Sequence, residues 1–373
     1  MKKIFCILLA FSVSVSAFAL EIGGEPPTYK AKTPGNPTQE GLADLVNTEL
    51  ASAFNSAKDD LNDTIGGMVN KPEKFIQAWG NSGIFASHGA TQRAFGGYKI
   101  FTVTIGSMMG FQLPVSPFKI IDELENVTQR LNKEGDIALG FNPQMFNAHI
   151  GFNMSFLVKN LYLGLRFGYL KLPNFIEGLS YDNGSVGFLV NYQLLPQINL
   201  FGVLAWRGIN LGTGFIYQGT VLDYKIALSP ISQSTGQVTG LNSSLNLTIK
   251  PELVLNMDIK TYTIPIEAMT ALKILFLNIP FGLGFDIGFG KSDLKVGMNG
   301  DVIVDGLNSN FLEKDDDGKL SISAGGDMAP TALNIKLMTG LGFAAGPVIV
   351  DIPFTYYFRG NGFSIGFTAG VTF

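Results

Sequence analysis

Gly362-Phe363-Ser364-Ile365-Gly366-Phe367-Thr368-Ala369-Gly370-Val371-Thr372-Phe373 decides the reading of this chain. Phe363, Ile365, Phe367, Ala369, Val371 and Phe373 alternate with Ser364, Gly366, Thr368, Gly370 and Thr372. A period of two places one set on each face of a β-strand. One face is apolar, the other is made of small and hydroxyl residues, and the last residue is aromatic.

The same period recurs upstream. Phe146, Ala148, Ile150 and Phe152 alternate with Asn147, His149, Gly151 and Asn153, and Leu161, Leu163, Leu165 and Phe167 alternate with Gly164, Arg166 and Gly168. Phe281, Leu283, Phe285, Ile287 and Phe289 alternate with four glycines and Asp286; Leu333, Ile335, Leu337 and Leu341 alternate with Asn334, Lys336 and Gly340. The longest run is Leu245–Lys260, with Leu245, Leu247, Ile249, Leu253, Leu255, Met257 and Ile259 on one face. It exceeds the roughly 9–11 residues that cross a hydrocarbon layer, and reads as a spanning strand that projects beyond it.

Composition agrees. Charged residues are 15% of the 373, with 45 glycines and 30 phenylalanines, against roughly 25% charged in an ordinary soluble domain. Met1-Lys2-Lys3, the apolar run Ile4–Ala10 and Ala17-Phe18-Ala19 form a secretory leader, with cleavage expected after Ala19. Cys6, the only cysteine, leaves with it, so the mature chain is expected to hold no disulfide or thiolate metal site. No later apolar run is long enough for a membrane helix. An apolar exported chain without such helices spans a membrane as a closed barrel, because lipid offers no partner to unpaired backbone groups. The absence of basic runs argues against nucleic acid as a partner.

The expected organisation is a leader over 1–19, an N-terminal helical plug over 20–97 and an all-β transmembrane antiparallel barrel over 98–373. Leu42, Leu45, Val46, Leu50, Phe54, Ala57, Leu61 and Ile65 share one helical face that stops at Gly66-Gly67; Pro72 opens a second short helix towards Trp79, and Gly80–Gly97 reads as irregular. Strands are predicted near 98–113, 145–158, 160–171, 184–194, 197–207, 209–228, 241–260, 262–277, 279–290, 292–304, 319–325, 333–343, 347–358 and 362–373. That is about 14, within a range of 12–16. The pair around Arg207-Gly208 also reads as one kinked strand, and 292–325 as an external hairpin. An even count puts both barrel ends in the periplasm, with short turns at Lys159-Asn160, Leu195-Pro196 and Ala345-Gly346-Pro347. The stretch 114–144 is then an external loop, with a helix from Ser116 through Leu131. The connection Asp305–Gly318 falls on the wrong side for its length.

Catalytic patterns are weak, and no enzyme is expected. Gly362-Phe363-Ser364-Ile365-Gly366 matches a nucleophile pattern, but it lies inside a strand and both histidines, His88 and His149, precede it. Glu313, Asp315, Asp317 and Gly318 echo a calcium loop, but Ala324 stands where its bidentate Glu belongs. No metal or cofactor is expected. Charges on polar faces are assigned to the lumen, because a charge facing lipid near the midplane costs about 2–4 kcal/mol: Arg166, Lys250, Glu252, Asp258, Lys260, Glu267, Lys273, Asp286, Lys336 and Asp351.

The final strand ending in Phe373 resembles the C-terminal strand of bacterial outer-membrane proteins, which implies recognition by the barrel-assembly machinery and contact with outer-membrane lipids. A plug followed by about 14 strands resembles the FadL-like long-chain fatty acid transporters. Asn36-Pro37-Thr38 matches two residues of that family's Asn-Pro-Ala hatch signature. The resemblance implies an outer-membrane transporter for a hydrophobic small-molecule ligand, gated by the plug, with Phe85, His88, Arg93 and Phe95 where the hatch meets the wall and a lateral opening sought at Arg207-Gly208. The alternatives are a general diffusion porin and a surface-exposed adhesin acting through long loops.

Overall fold

The structure, a computed structural model, describes residues 21–66, 72–86, 99–114, 138–238, 243–305, 307 and 310–373. The chain opens with β1 (Glu21–Glu25) and β2 (Thr28–Ala31), then α1 (Pro37–Gly66) and α2 (Pro72–Ala86). There follow β3 (Phe101–Gln112), β4 (Gly140–Asn153), β5 (Leu161–Ile176), β6 (Leu179–Leu195), β7 (Ile198–Phe201), β8 (Leu204–Ala227) and β9 (Ile231–Val238). The remainder is β10 (Ser243–Ile274), β11 (Leu277–Asp305), β12 (Leu312–Asp316), β13 (Lys319–Met328), β14 (Leu333–Ala345), β15 (Val348–Tyr357) and β16 (Gly362–Thr372).

The large antiparallel sheet has 14 strands, and ten of them close a ring: β3, β4, β5, β6, β8, β10, β11, β14, β15 and β16. Closure is made where β16 pairs with β3 and where β10 pairs with β11 along their whole lengths, from Asn246↔Asp305 to Ile274↔Leu277. The count of ten rather than 14 around the ring has a simple cause. The segments predicted as 241–260 and 262–277 are one strand of 32 residues, and 279–290 and 292–304 are one of 29; 197–207 and 209–228 give one ring strand, β8, with the short β7 beside it, and 319–325 is β13, outside the ring. The sheet regains its other strands outside the ring, where β13 extends β11, β1 extends β13, β9 flanks β10 and β7 pairs with β8.

This merger also removes the misplaced loop. With β11 unbroken, the Asp305–Gly318 connection falls on the long-loop rim. The opposite rim carries the short connections at Asn160 (φ 65°), Leu275 (φ 53°) and Gly346 (φ 61°), together with Phe373, whose backbone exchanges two bonds with Phe101. Short turns mark that rim as periplasmic.

The membrane level is fixed by a reversal of pattern within single strands. In the inner part of β11, Phe281, Leu283, Ile287 and Phe289 point out and Gly282, Asp286 and Gly288 point in. Two residues further, Lys291, Asp293 and Lys295 point out, while Leu294, Val296 and Met298 are buried inside. β10 does the same: outward Ile264 and Ile266 give way to Lys260 and Asp258, and inward Thr263 and Thr261 give way to Ile259, Met257 and Leu255. In β8, inward Gln218 and Thr220 become Leu222 and Tyr224; in β6, Asn183 becomes Tyr181; in β5, Arg166 and Gly168 become Leu170.

Tyr217, Tyr262 and Phe289 cluster at this level, with ring centroids 5.2 and 5.3 Å apart. Phe101–Phe152 and Phe276–Phe343 mark the other boundary. Aromatic girdles flank the lipid belt of a barrel. Just above the outer girdle lie the ion pairs Lys171–Asp182 (3.4 Å), Lys260–Asp258 (2.9 Å) and Lys291–Asp293 (2.5 Å), which water tolerates and hydrocarbon does not.

Leu245–Lys260 is therefore not the spanning stretch. Its apolar face looks inward, above the membrane, and packs under α1. Among the described residues α1 buries Ala43, Val46, Leu50, Phe54 and Ala57 against Leu245, Leu247, Ile249, Met298, Val302 and Ile322. α1 starts where Asn36 Oδ1 accepts from the N–H groups of Thr38 (3.1 Å) and Gln39 (3.3 Å) and Pro37 occupies the first turn. Asn36-Pro37-Thr38 is thus explained as a helix start. The helix predicted over Ser116–Leu131 lies outside the described residues, as does the leader.

Candidate functional site

α2 is the plug. It runs from above the girdle into the mouth of the ring. Phe75, Ile76 and Trp79 join the inward wall residues Leu170, Leu179, Tyr181, Leu222, Tyr224, Leu255, Met257, Ile259, Leu294 and Val296 in one apolar core. Deeper, Ile84, Phe85 and Ala86 are fully buried. Phe85 stacks on Tyr357 of β15 with centroids 3.9 Å apart and planes 20° apart. The helix continues to Ala86, although Gly80 onward reads as irregular in the sequence. Packing supplies what propensity lacks, since β4 approaches so closely that a Cβ on Gly140 would lie 2.0 Å from the carbonyl oxygen of Ala78.

Below the apolar core the lumen is polar and filled. Asn142 Oδ1 accepts from Asn183 Nδ2 (2.8 Å) and Gln218 Nε2 (2.8 Å), and Asn142 Nδ2 donates to Thr220 Oγ1 (3.0 Å). All four residues are buried, as a polar network must be bonded to be tolerated. Deeper still, Lys336 Nζ donates to Glu267 Oε1 (2.5 Å) and Asp286 Oδ1 (2.7 Å), with Lys336 and Asp286 fully buried. His149 Nε2 lies 2.8 Å from the Tyr162 hydroxyl, and Arg166 is the register partner of His149.

The lumen-facing charges thus divide into two groups. Arg166, Glu267, Asp286 and Lys336 are inside the barrel; Lys273 and Asp351, both partly buried, share the inward phase of their strands. Lys250, Glu252, Asp258 and Lys260 do not line the lumen. They stand on the outer face of β10 above the girdle, where water solvates them. Of the predicted ligand-contact residues, Phe85 is placed at the plug–wall contact; His88, Arg93 and Phe95 lie outside the described residues. Ser364 is buried on the lumenal face of β16, within the strand. Glu313 and Asp315 are bound by Lys30 (3.5 and 3.1 Å), and Asp317 by Lys314. No group of potential metal ligands occurs among the described residues.

A seam in the wall escaped sequence reasoning. The β4–β5 ladder runs from Asn153↔Tyr162 only to Phe146↔Tyr169. Beyond it β5 pairs with β6 and β4 with β3. The outer end of β4 leans into the lumen instead, held by Asn142 and by Tyr181, whose hydroxyl donates to the Pro143 carbonyl (3.3 Å). Gly168 leaves the space through which Gln144 passes, since a Cβ there would meet its Oε1 at 2.3 Å. Leu139 and Leu172 flank the seam and pack against the apolar core, and Met145 beside it is 62% exposed. At Arg207-Gly208, by contrast, β8 stays paired on both sides through a local register shift, with Gly208 at φ 77°. That phase break is a β-bulge, not an opening.

A closed ring with an outward apolar belt, girdles at both rims and a filled polar lumen defines an integral β-barrel protein of the outer membrane. Within that class, the sequence profile described as Lsa36-like matches residues 31–373, and the chain belongs to that family. No curated protein matches the chain. Among solved structures it is similar to the translocator domain of the autotransporter NalP from Neisseria meningitidis, at 9% identity over 77% of this chain and 91% of that one, with a TM-score of 0.26. It is also similar to the CymD monoaromatic hydrocarbon channel (8% identity, 74% and 89%, TM-score 0.23) and to Omp33 of Acinetobacter baumannii (7%, 74% and 99%, TM-score 0.24). At scores this low the likenesses say nothing about function.

Proposed function

We propose that the protein is a plugged outer-membrane conduit for hydrophobic small molecules, of which long-chain fatty acids are one class. The observation that carries this reading is the apolar inner wall above the outer girdle, filled by Phe75, Ile76 and Trp79 of α2. An apolar solute is the kind of molecule that replaces such a filling without leaving the wall against water. The β4–β5 seam gives that chamber a flank at the lipid boundary, beside Met145. Phe85 on Tyr357 is the contact that the plug gives up when it moves. Phe373, 59% exposed at the inner rim, is the residue offered to the assembly machinery.

The second reading is a surface-binding protein, and one observation favours it. β10 is 32 residues long, where roughly 9–11 suffice to cross the hydrocarbon, so much of the molecule stands above the membrane. Purification from membranes, with mass spectrometry of co-purifying lipids and conductance in planar bilayers, separates the readings. A closed pore carrying apolar ligands supports the conduit. Steady large conductance without bound lipid sinks it in favour of a porin. A silent, lipid-free barrel leaves the surface-binding reading.

A further inference from the structure

The N-terminal segment and the start of the barrel lie on opposite sides of the membrane. At the inner rim, the Lys99 N–H donates to Thr372 Oγ1 (2.8 Å) and Phe101 exchanges backbone bonds with Phe373. Ala86 stands near the other end of the same strand, where a Cβ on Gly110 would meet its nitrogen at 2.5 Å. Everything described before Ala86 lies at that level or higher. Phe75 and Ile76 are above the girdle, α1 covers the outward extensions of β10 and β11, and β1 pairs with β13 from Glu21↔Ser323 to Glu25↔Lys319. Ala86 and Lys99 therefore stand at opposite ends of the ring. The ring is closed at both β16–β3 and β10–β11, and α2 stands inside its outer mouth.

We infer that residues 21–66 are a surface-displayed cap that reaches the outside through the barrel's own lumen. A helix is about 10–12 Å across with its side chains, and α2 is the part that stays in the barrel mouth. The outer membrane needs no separate energy source for this step, because the cap finds its burial partners only after passage. Val46, Leu50 and Phe54 meet Leu245, Leu247, Ile249 and Met298 outside, and β1 completes the sheet edge of β13 there. Gln233 Nε2 donating to Asp60 Oδ2 (2.8 Å) fastens α1 to β9. Capture on the far side makes the passage one-way.

Cysteine labelling of the full chain tests this, since Cys6 is its only natural cysteine. Thr38→Cys lies on the first turn of α1 and Lys159→Cys in the short β4–β5 turn, and both positions are exposed. A membrane-impermeant maleimide is expected to label Thr38→Cys on intact cells and Lys159→Cys only after permeabilisation, with barrel assembly of each variant verified by heat-dependent gel mobility. Thr38→Cys protected on intact cells and reactive after permeabilisation would overturn the inference. The route is tested by fusing a small disulfide-closed domain ahead of Glu21 in the Thr38→Cys chain. Surface labelling should be lost, and should return when the added domain's cysteines are serines. Labelling that persists with the closed domain in place would refute passage through the lumen.

Discussion

An arginine scan along one face of β11 tests the assigned membrane level directly. Leu283 and Asn299 occupy the same outward phase of one strand, and both are exposed. Leu283 lies midway between Leu277 at the inner rim and Phe289 in the outer girdle, so Leu283→Arg places a guanidinium near the midplane. The expected cost is about 2–4 kcal/mol, roughly a 30- to 700-fold loss in the folding constant. Asn299→Arg projects from the extension into water and should change stability by less than about 0.5 kcal/mol. The inward phase gives the converse result. Val296 is only 7% exposed within the apolar core, and Val296→Asp buries an unpaired carboxylate at about 4 kcal/mol or more. Urea titrations in lipid vesicles read these values from the two tryptophans, Trp79 in the plug and Trp206 near the inner rim. Equal costs at 283 and 299, or a silent Val296→Asp, would refute the placement of the boundary between Phe289 and Lys291.

Lys336→Met should destabilise the barrel by about 3–5 kcal/mol, because it removes the buried ammonium that bonds both Glu267 and Asp286, while the triple change with Glu267→Gln and Asp286→Asn should recover most of the loss; temperatures of half-conversion on gels compare the three. Phe85→Ala removes the ring stacked on Tyr357, at a cost of about 3–5 kcal/mol, and bilayer recordings should show openings absent from the parent. The β2–β12 ribbon should hold at neutral pH and loosen at both extremes, read as protease sensitivity of β12. Asp317, held below its ordinary 3.8 by Lys314, stabilises above that value and loses its contribution as pH falls through the depressed pKa. Lys30, raised above 10.5 by Asp315 and Glu313, stabilises below 10.5 and loses its contribution as pH rises through the elevated pKa.

Alternation in the sequence located most strands because the period of two follows from backbone geometry alone. The lipid-facing phase of β16, β5 and the inner part of β11 is the predicted one. The medium on the apolar side was not legible from the period, since a face packed on a core and a face dissolved in lipid look alike. The opposite face does carry a signal. Opposite Phe281–Phe289 stand glycines and one aspartate, the small residues of a filled lumen. Opposite Leu245–Ile259 stand Lys250, Glu252, Asp258 and Lys260, which suit water better than a packed interior. Weighing that face would have put Leu245–Lys260 above the membrane and reduced the ring. The seam was beyond reach, because it depends on side chains from β6 and β8 drawing β4 inward past β5, a contact between residues far apart in sequence.

The reversal of pattern also constrains what the plug can be. Above the girdle the wall presents Leu222, Tyr224, Leu255, Met257, Leu294 and Val296 inward, an apolar lining that water would penalise in proportion to its area. α2 is therefore the other half of this core, not an accessory laid over a finished barrel. Withdrawing α2 into solvent exposes both halves at once, so an empty open state is disfavoured by the same burial that closes the barrel. On the proposed function, opening requires that something apolar take the place of Phe75, Ile76 and Trp79, or that α2 shift within the chamber towards the β4–β5 seam. On the same proposal, a barrel built this way excludes ions and polar solutes and passes molecules that wet its inner wall, so that selectivity follows from the core that holds the fold together.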